Sequence, residues 1–143
     1  MLKMLLFLLL FSRAVFAAPV SHEAVYAISL ASTAGGADSV VGASGVMRYQ
    51  AQKVCGEWQT QTVFSLDVSR ELAGVETTHW KQTTTETLDG CRFDFTVFVR
   101  ENGQDRKELS GRARCENGKK KLFVDYPVKL QADFPKTVKF PLE

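Results

Sequence analysis

Apolar and polar residues alternate along almost the whole chain after its first twenty positions, and short turn-forming pairs break the alternation at regular intervals. His22 to Ser32 places Tyr26, Ile28 and Leu30 on one face and ends at Gly35-Gly36. Val40 to Gln52 predicts a second strand, in which Gly42 and Gly45 mark a bulge or bend. Trp58 to Val68 is the cleanest run of the first half. Trp58, Thr60, Thr62, Phe64, Leu66 and Val68 share one side, while Gln59, Gln61, Ser65 and Asp67 fall on the other. Val75 to Leu88 is polar and Thr-rich, and Asp89-Gly90 predicts a two-residue hairpin after it.

The following hairpin is the most determinate segment. Cys91, Phe93, Phe95, Val97 and Val99 share one face, Asn102-Gly103 makes the turn, and Lys107 to Cys115 returns with Leu109, Gly111 and Ala113 alternating. Pairing Val97 with Leu109 and Phe93 with Ala113 sets every apolar position against a small or apolar one. A one-residue slip would bring charges onto that face. Asn117-Gly118 turns into a strand over Lys121 to Tyr126. The tail, Val128 to Glu143, carries the steps Phe134-Pro135 and Phe140-Pro141 and is expected to run as extended chain. With Thr, Val and Phe abundant and no helical periodicity, the fold class is all-β: an antiparallel meander forming a curved sheet or a partial β-spiral or barrel.

The first residues change the cellular setting. Lys3, the apolar run Met4 to Phe11 and the small residues of Val15-Phe16-Ala17-Ala18 have the layout of an export signal. The run is too short to remain as a membrane-spanning helix, and no cysteine sits near the cut for a lipid anchor. Cleavage is expected after Ala17, because a cut after Ala18 would put Pro19 directly behind it. Residues 1–17 are then a signal peptide and 18–143 a single β domain in an oxidising compartment. Removing Lys3 and Arg13 takes the formal charge from +2 to about zero. A neutral domain has no electrostatic footprint for nucleic acid, and no later stretch is long enough to cross a membrane as a helix.

An oxidising compartment gives the three cysteines meaning. The register above sets Cys91 opposite Cys115 on neighbouring strands, within disulfide reach, and leaves Cys55 over. The alternative is that two of them are ordinary buried thiols. Catalytic chemistry finds little support. His22 and His79 are the only histidines, and neither stands in a nucleophile-elbow or cysteine-hydrolase pattern. No His or Cys pair has metal-ligand spacing, and nothing calls for a cofactor. Asp67, Glu71, Glu76, Glu86, Asp89 and Asp94 occur singly and read as solvated strand faces or turns. Lys119-Lys120-Lys121 reads as a charged strand entry that protects an edge, with contact to anionic lipid headgroups as the other use. Trp58, Phe64, Phe93 and Phe95 read as packed core, against the alternative that they line a cavity for an apolar ligand.

The order of motifs resembles the EipB family of periplasmic cell-envelope integrity proteins of alphaproteobacteria. The resemblance rests on Ala24-Val25-Tyr26-Ala27-Ile28-Ser29-Leu30, Val41 to Tyr49, Cys55-Gly56-Glu57-Trp58, Asp89-Gly90-Cys91-Arg92-Phe93, Asn102-Gly103 and the approach to Phe140-Pro141. Its most specific part is the Gly-Ala-Ser-Gly-x-Met-x-Tyr segment followed by Cys55. The resemblance implies a spiral of antiparallel strands, half from each end of a longer chain, with this sequence corresponding to the N-terminal half. It also implies that the cysteine at position 55 bonds one near the full-length C-terminus, outside this sequence, and that no enzymatic activity is present. The expected function is a non-enzymatic periplasmic protein that supports envelope integrity by binding a protein partner on its outer surface. The alternative is a carrier of a lipid or other apolar ligand inside the curved sheet. An envelope hydrolase has least behind it.

Overall fold

The computed structural model describes residues 19–33, 35–36 and 38–142. The segment read as an export signal lies outside them. Eight strands follow in chain order: β1 (His22–Ser29), β2 (Val40–Val54), β3 (Glu57–Arg70), β4 (Gly74–Thr87), β5 (Arg92–Glu101), β6 (Gln104–Glu116), β7 (Lys119–Tyr126) and β8 (Leu130–Pro135). They form one antiparallel sheet in sequence order, with β1 and β8 at its edges.

Local chemistry explains the simplicity of this topology. Three of the connections are two-residue turns at Cys55-Gly56, Asn102-Gly103 and Asn117-Gly118, and both residues of each have positive φ (50° and 84°, 51° and 76°, 50° and 74°). That backbone matches the twist of paired strands, so each turn returns the chain beside the strand it has just left. Bulges interrupt the pairing at Val40/Gly42, Val99/Arg100 and Ser110/Gly111, where they add local twist. Gly111 is needed for a different reason: a Cβ there would lie 2.7 Å from the Phe95 ring, which crosses over it from the neighbouring strand.

The register of the central hairpin is the one the apolar pattern predicts, with Val97 opposite Leu109 and Phe93 opposite Ala113. Three expectations need correction. The first strand ends at Ser29 rather than Ser32. The turn at Asp89-Gly90 spans residues 88–91, because Asp89 Oδ1 accepts hydrogen bonds from Cys91 N–H (3.0 Å) and from the Thr87 hydroxyl and so builds a wider loop. The tail is not simply extended chain. Leu130–Pro135 pairs with β7 as an eighth strand, and Phe140 and Leu142 then fold back onto the sheet.

That return gives the sheet an inner face, and its two ends differ. At the end carrying the Cys55, Asp89 and Asn117 turns, a row runs Trp58, Glu86, Phe93, Ala113, Leu122 across β3 to β7. Trp58 and Ala113 are buried there, Phe140 stacks on Phe93 at 5.1 Å, and Phe93 stacks on Phe95 at 5.8 Å. At the other end the inner face is open.

Candidate functional site

The closed end holds two charges that the sequence pattern alone makes look solvated. Glu86 is 1% exposed and Lys120 2% exposed. Strand alternation turns both side chains inward, and the returning tail then covers them. Glu86 Oε2 accepts the Leu142 N–H at 3.1 Å, and Lys120 Nζ lies 3.8 Å from the centroid of the Phe140 ring. A desolvated cation over an aromatic face is a strong form of that interaction. Lys119–Tyr126 is also not an edge strand, since β8 covers its far side. The edge-protecting role therefore fails for the whole run: Lys120 turns inward, and Lys119 and Lys121 point outward to Asp133 (3.6 Å) and Glu116 (2.9 Å). Beside this cluster Thr60 and Thr84 share a 2.6 Å hydroxyl hydrogen bond, and every buried side-chain polar atom of the described residues has a partner. The closed end is a finished piece of interior.

The open end carries Tyr26, Met47, Phe64, Trp80 and Val99 in a single row across β1 to β5. Tyr26 is 49% exposed, and the other four are half-buried. Phe64, Thr78, Trp80 and Val99 line a shallow, almost wholly apolar recess of about 380 Å³. A contiguous apolar surface of this kind is a recognition surface in soluble proteins more often than an accident. The expectation that Trp58, Phe64, Phe93 and Phe95 form one core divides accordingly: Trp58 is buried, Phe93 and Phe95 are tied to the tail's aromatic stack, and Phe64 belongs to the open recess.

The residues singled out for chemistry are dispersed. His79 is exposed on the outer face of β4, and His22 on β1 donates from Nδ1 to the Val20 carbonyl at 2.7 Å and lies 5.3 Å from the Tyr49 ring on β2. Among the described residues no group of three or more His, Cys, Asp or Glu side chains is placed to hold a metal. Cys91 and Cys115 are joined by a disulfide with Cα atoms 4.8 Å apart, and Cys55 is a free, exposed thiol at a turn of the same end. On the outer face Asp94 sits between Arg92 (2.7 Å) and Arg114 (2.7 Å). Partial burial by itself would raise the Asp94 pKa, but the hydrogen bonds and charges of the two guanidinium groups outweigh it and hold the carboxyl below its usual range.

Comparison with known proteins gives this geometry a family. The EipB-like family model matches residues 14–143. The chain belongs to the EipB-like family. A similar solved structure is the β-barrel-like protein of a domain of unknown function, DUF1849, from Brucella abortus, with 27% sequence identity and a TM-score of 0.74. The match covers 87% of this chain and 51% of that one, so the EipB-like chain spans about half the length of its solved relative. No curated protein matches it. Within the described residues no helix is long and apolar enough to cross a membrane. The barrel-like neighbour agrees with an all-β meander, although here the strand order leaves β1 and β8 unpaired with each other.

Proposed function

We propose that this EipB-like chain is a non-enzymatic periplasmic protein that supports the cell envelope by binding a protein partner. The observation that carries the reading is the row Tyr26, Met47, Phe64, Trp80 and Val99, left open on one end of the inner face. Aromatic residues and methionine are the types enriched in the cores of protein interfaces. The surface differs from the sequence expectation, which assigns partner binding to the outer surface. The periplasmic address rests on the layout of residues 1–17 and on family membership.

A photo-crosslinking residue at position 80 in living cells is expected to yield one discrete protein adduct. Trp80→Ala is expected to sensitise cells to detergent about as strongly as deletion of the gene. The same recess favours a second reading, the carriage of a lipid or other apolar ligand, because its lining offers almost no polar group. Native mass spectrometry of protein purified from the periplasm separates the two. A stoichiometric apolar ligand, lost in Trp80→Ala, would overturn partner binding in favour of carriage.

A further inference from the structure

The outer face holds a feature that neither reading uses. Directly opposed residues build one row across five strands: Gln50 on β2, Gln61 on β3, Thr83 on β4, Thr96 on β5 and Ser110 on β6. The row is entirely uncharged. Beside it, two residues along each strand, Gln52, Gln59 and Thr85 continue the amides and hydroxyls up to Asp94 and Arg112. The rows on either side are of another kind. Arg48, Lys81 and Glu108 carry charges on one side, and Glu57, Arg92, Arg114 and Lys121 on the other.

None of the five side chains in the neutral row makes a hydrogen bond to another described residue, whereas the charges at its end are mutually satisfied. Arg112 pairs with Asp125 at 2.7 Å, and Asp94 pairs with Arg92 and Arg114. Two shallow grooves of about 340 and 300 Å³ follow these rows and meet at Thr83, Thr84 and Thr85. With strands spaced ~4.8 Å apart, the row offers a polar group at each step over roughly 20 Å. The surface is therefore long, uncharged along its central row with the paired charges of Asp94, Arg112 and Asp125 at one end, and rich in uncommitted donors and acceptors, with side-chain amides concentrated on β2–β3 and hydroxyls on β4–β6.

We propose that this outer-face groove binds an uncharged glycan strand built of N-acetylated amino sugars. Sugar hydroxyls match the Thr and Ser hydroxyls, acetamido groups match the glutamine amides donor for acceptor, and the absence of net charge along the row removes the desolvation cost that an ionic lining would impose. A folded polypeptide is a poorer fit, because the groove lacks the apolar anchors on which protein interfaces depend.

The test uses the exported protein and two soluble sugars, chitohexaose and cellohexaose, which share a β-1,4 backbone and differ in the acetamido group. Chitohexaose is expected to bind and to shift the side-chain amide resonances of Gln50, Gln59 and Gln61 in NMR spectra, with cellohexaose at least tenfold weaker. Gln61→Leu combined with Thr83→Val is expected to weaken chitohexaose at least tenfold, while Thr78→Val on the inner face leaves it unchanged. The near-UV circular dichroism of each variant reports that it is folded. Absence of chitohexaose binding to the wild-type protein, equal binding of the two sugars, or shifts confined to the inner face around Trp80 would each overturn the proposal.

Discussion

The two tryptophans of this protein lie on the same face of the same sheet, yet they inhabit different environments. Trp58 is 5% exposed at the closed end, in a row with Glu86, Phe93 and Ala113 beneath the returning tail. Trp80 is half-buried at the open end, in a recess with Phe64 and Val99. Strand alternation is equally good at both positions, so alternation does not separate them. The difference follows the tail: Phe140 stacks on Phe93 and lies under Lys120, and Leu142 bonds Glu86, the residue opposite Trp58. One stretch of tail therefore decides which apolar residues become interior and which remain available for recognition.

Substitution should separate the two ends by stability. Trp58→Ala is expected to cost about 3–5 kcal/mol, as for a large aromatic removed from a packed interior. Trp80→Ala is expected to cost about 1 kcal/mol, in the range of a partly exposed position. Urea unfolding of the two variants checks this, and comparable losses would erase the distinction between the ends.

The disulfide should matter next. Cys91 and Cys115, separated by 24 positions, clamp the mouth of the β5–β6 hairpin at the closed end. Replacing both with Ala is expected to destabilise the protein by roughly 3 kcal/mol, the loop-entropy contribution of a cross-link of this span. The loss should appear in thermal unfolding without any change in the environment of Trp80.

The lysine run gives a sharper local test. Lys120→Ala removes a buried cation from the face of Phe140 and is expected to cost about 2 kcal/mol. Lys119→Ala and Lys121→Ala, at the same end but on the outer face, should each stay within about 0.5 kcal/mol. Equal effects along the run would mean that the tail does not pack as described.

The smallest effect is expected on the outer face. Hydrogen bonds from Arg114 and Arg92 overcome the effect of burial and lower the Asp94 pKa in the folded protein. Its ion pairs therefore add stability above the ordinary aspartate range near ~3.9, and that contribution is lost as pH falls through the lowered folded-state value. Asp94→Asn should cost no more than about 1 kcal/mol at neutral pH. The gap between it and the wild-type protein should close as pH falls below the ordinary aspartate range in acid titrations of stability.

Much of the sheet was readable from sequence because its determinants are local. Asn102-Gly103 and Asn117-Gly118 fix their turns through positive φ, and the pattern around Phe93 and Leu109 permits a single register. Cys55-Gly56 adopts the same turn geometry, but a cysteine in the left-handed position is not a residue that announces it. Asp89-Gly90 has the sequence of a tight turn, but the Asp89 carboxylate adds a bond to Cys91 N–H beside the backbone bond from Gly90 N–H to the Thr87 carbonyl, and the loop is wider than a pattern of residue types shows. The buried charges were beyond reach for a different reason. Glu86 and Lys120 become interior only through contacts with Leu142 and Phe140, 56 and 20 positions away, and alternation carries no information about such partners. The neutral outer row was visible only in fragments, as Gln59 and Gln61 on one strand, until the register aligned it with Thr83, Thr96 and Ser110.

The central claim, a closed end and an open end on one face, is tested most directly by fluorescence quenching of two single-tryptophan variants. In Trp80→Phe only Trp58 remains, and its emission is expected to be blue-shifted and weakly quenched by acrylamide. In Trp58→Phe only Trp80 remains, with red-shifted emission and quenching several times stronger. Equal quenching of the two, or a Trp58 as accessible as Trp80, would contradict the account.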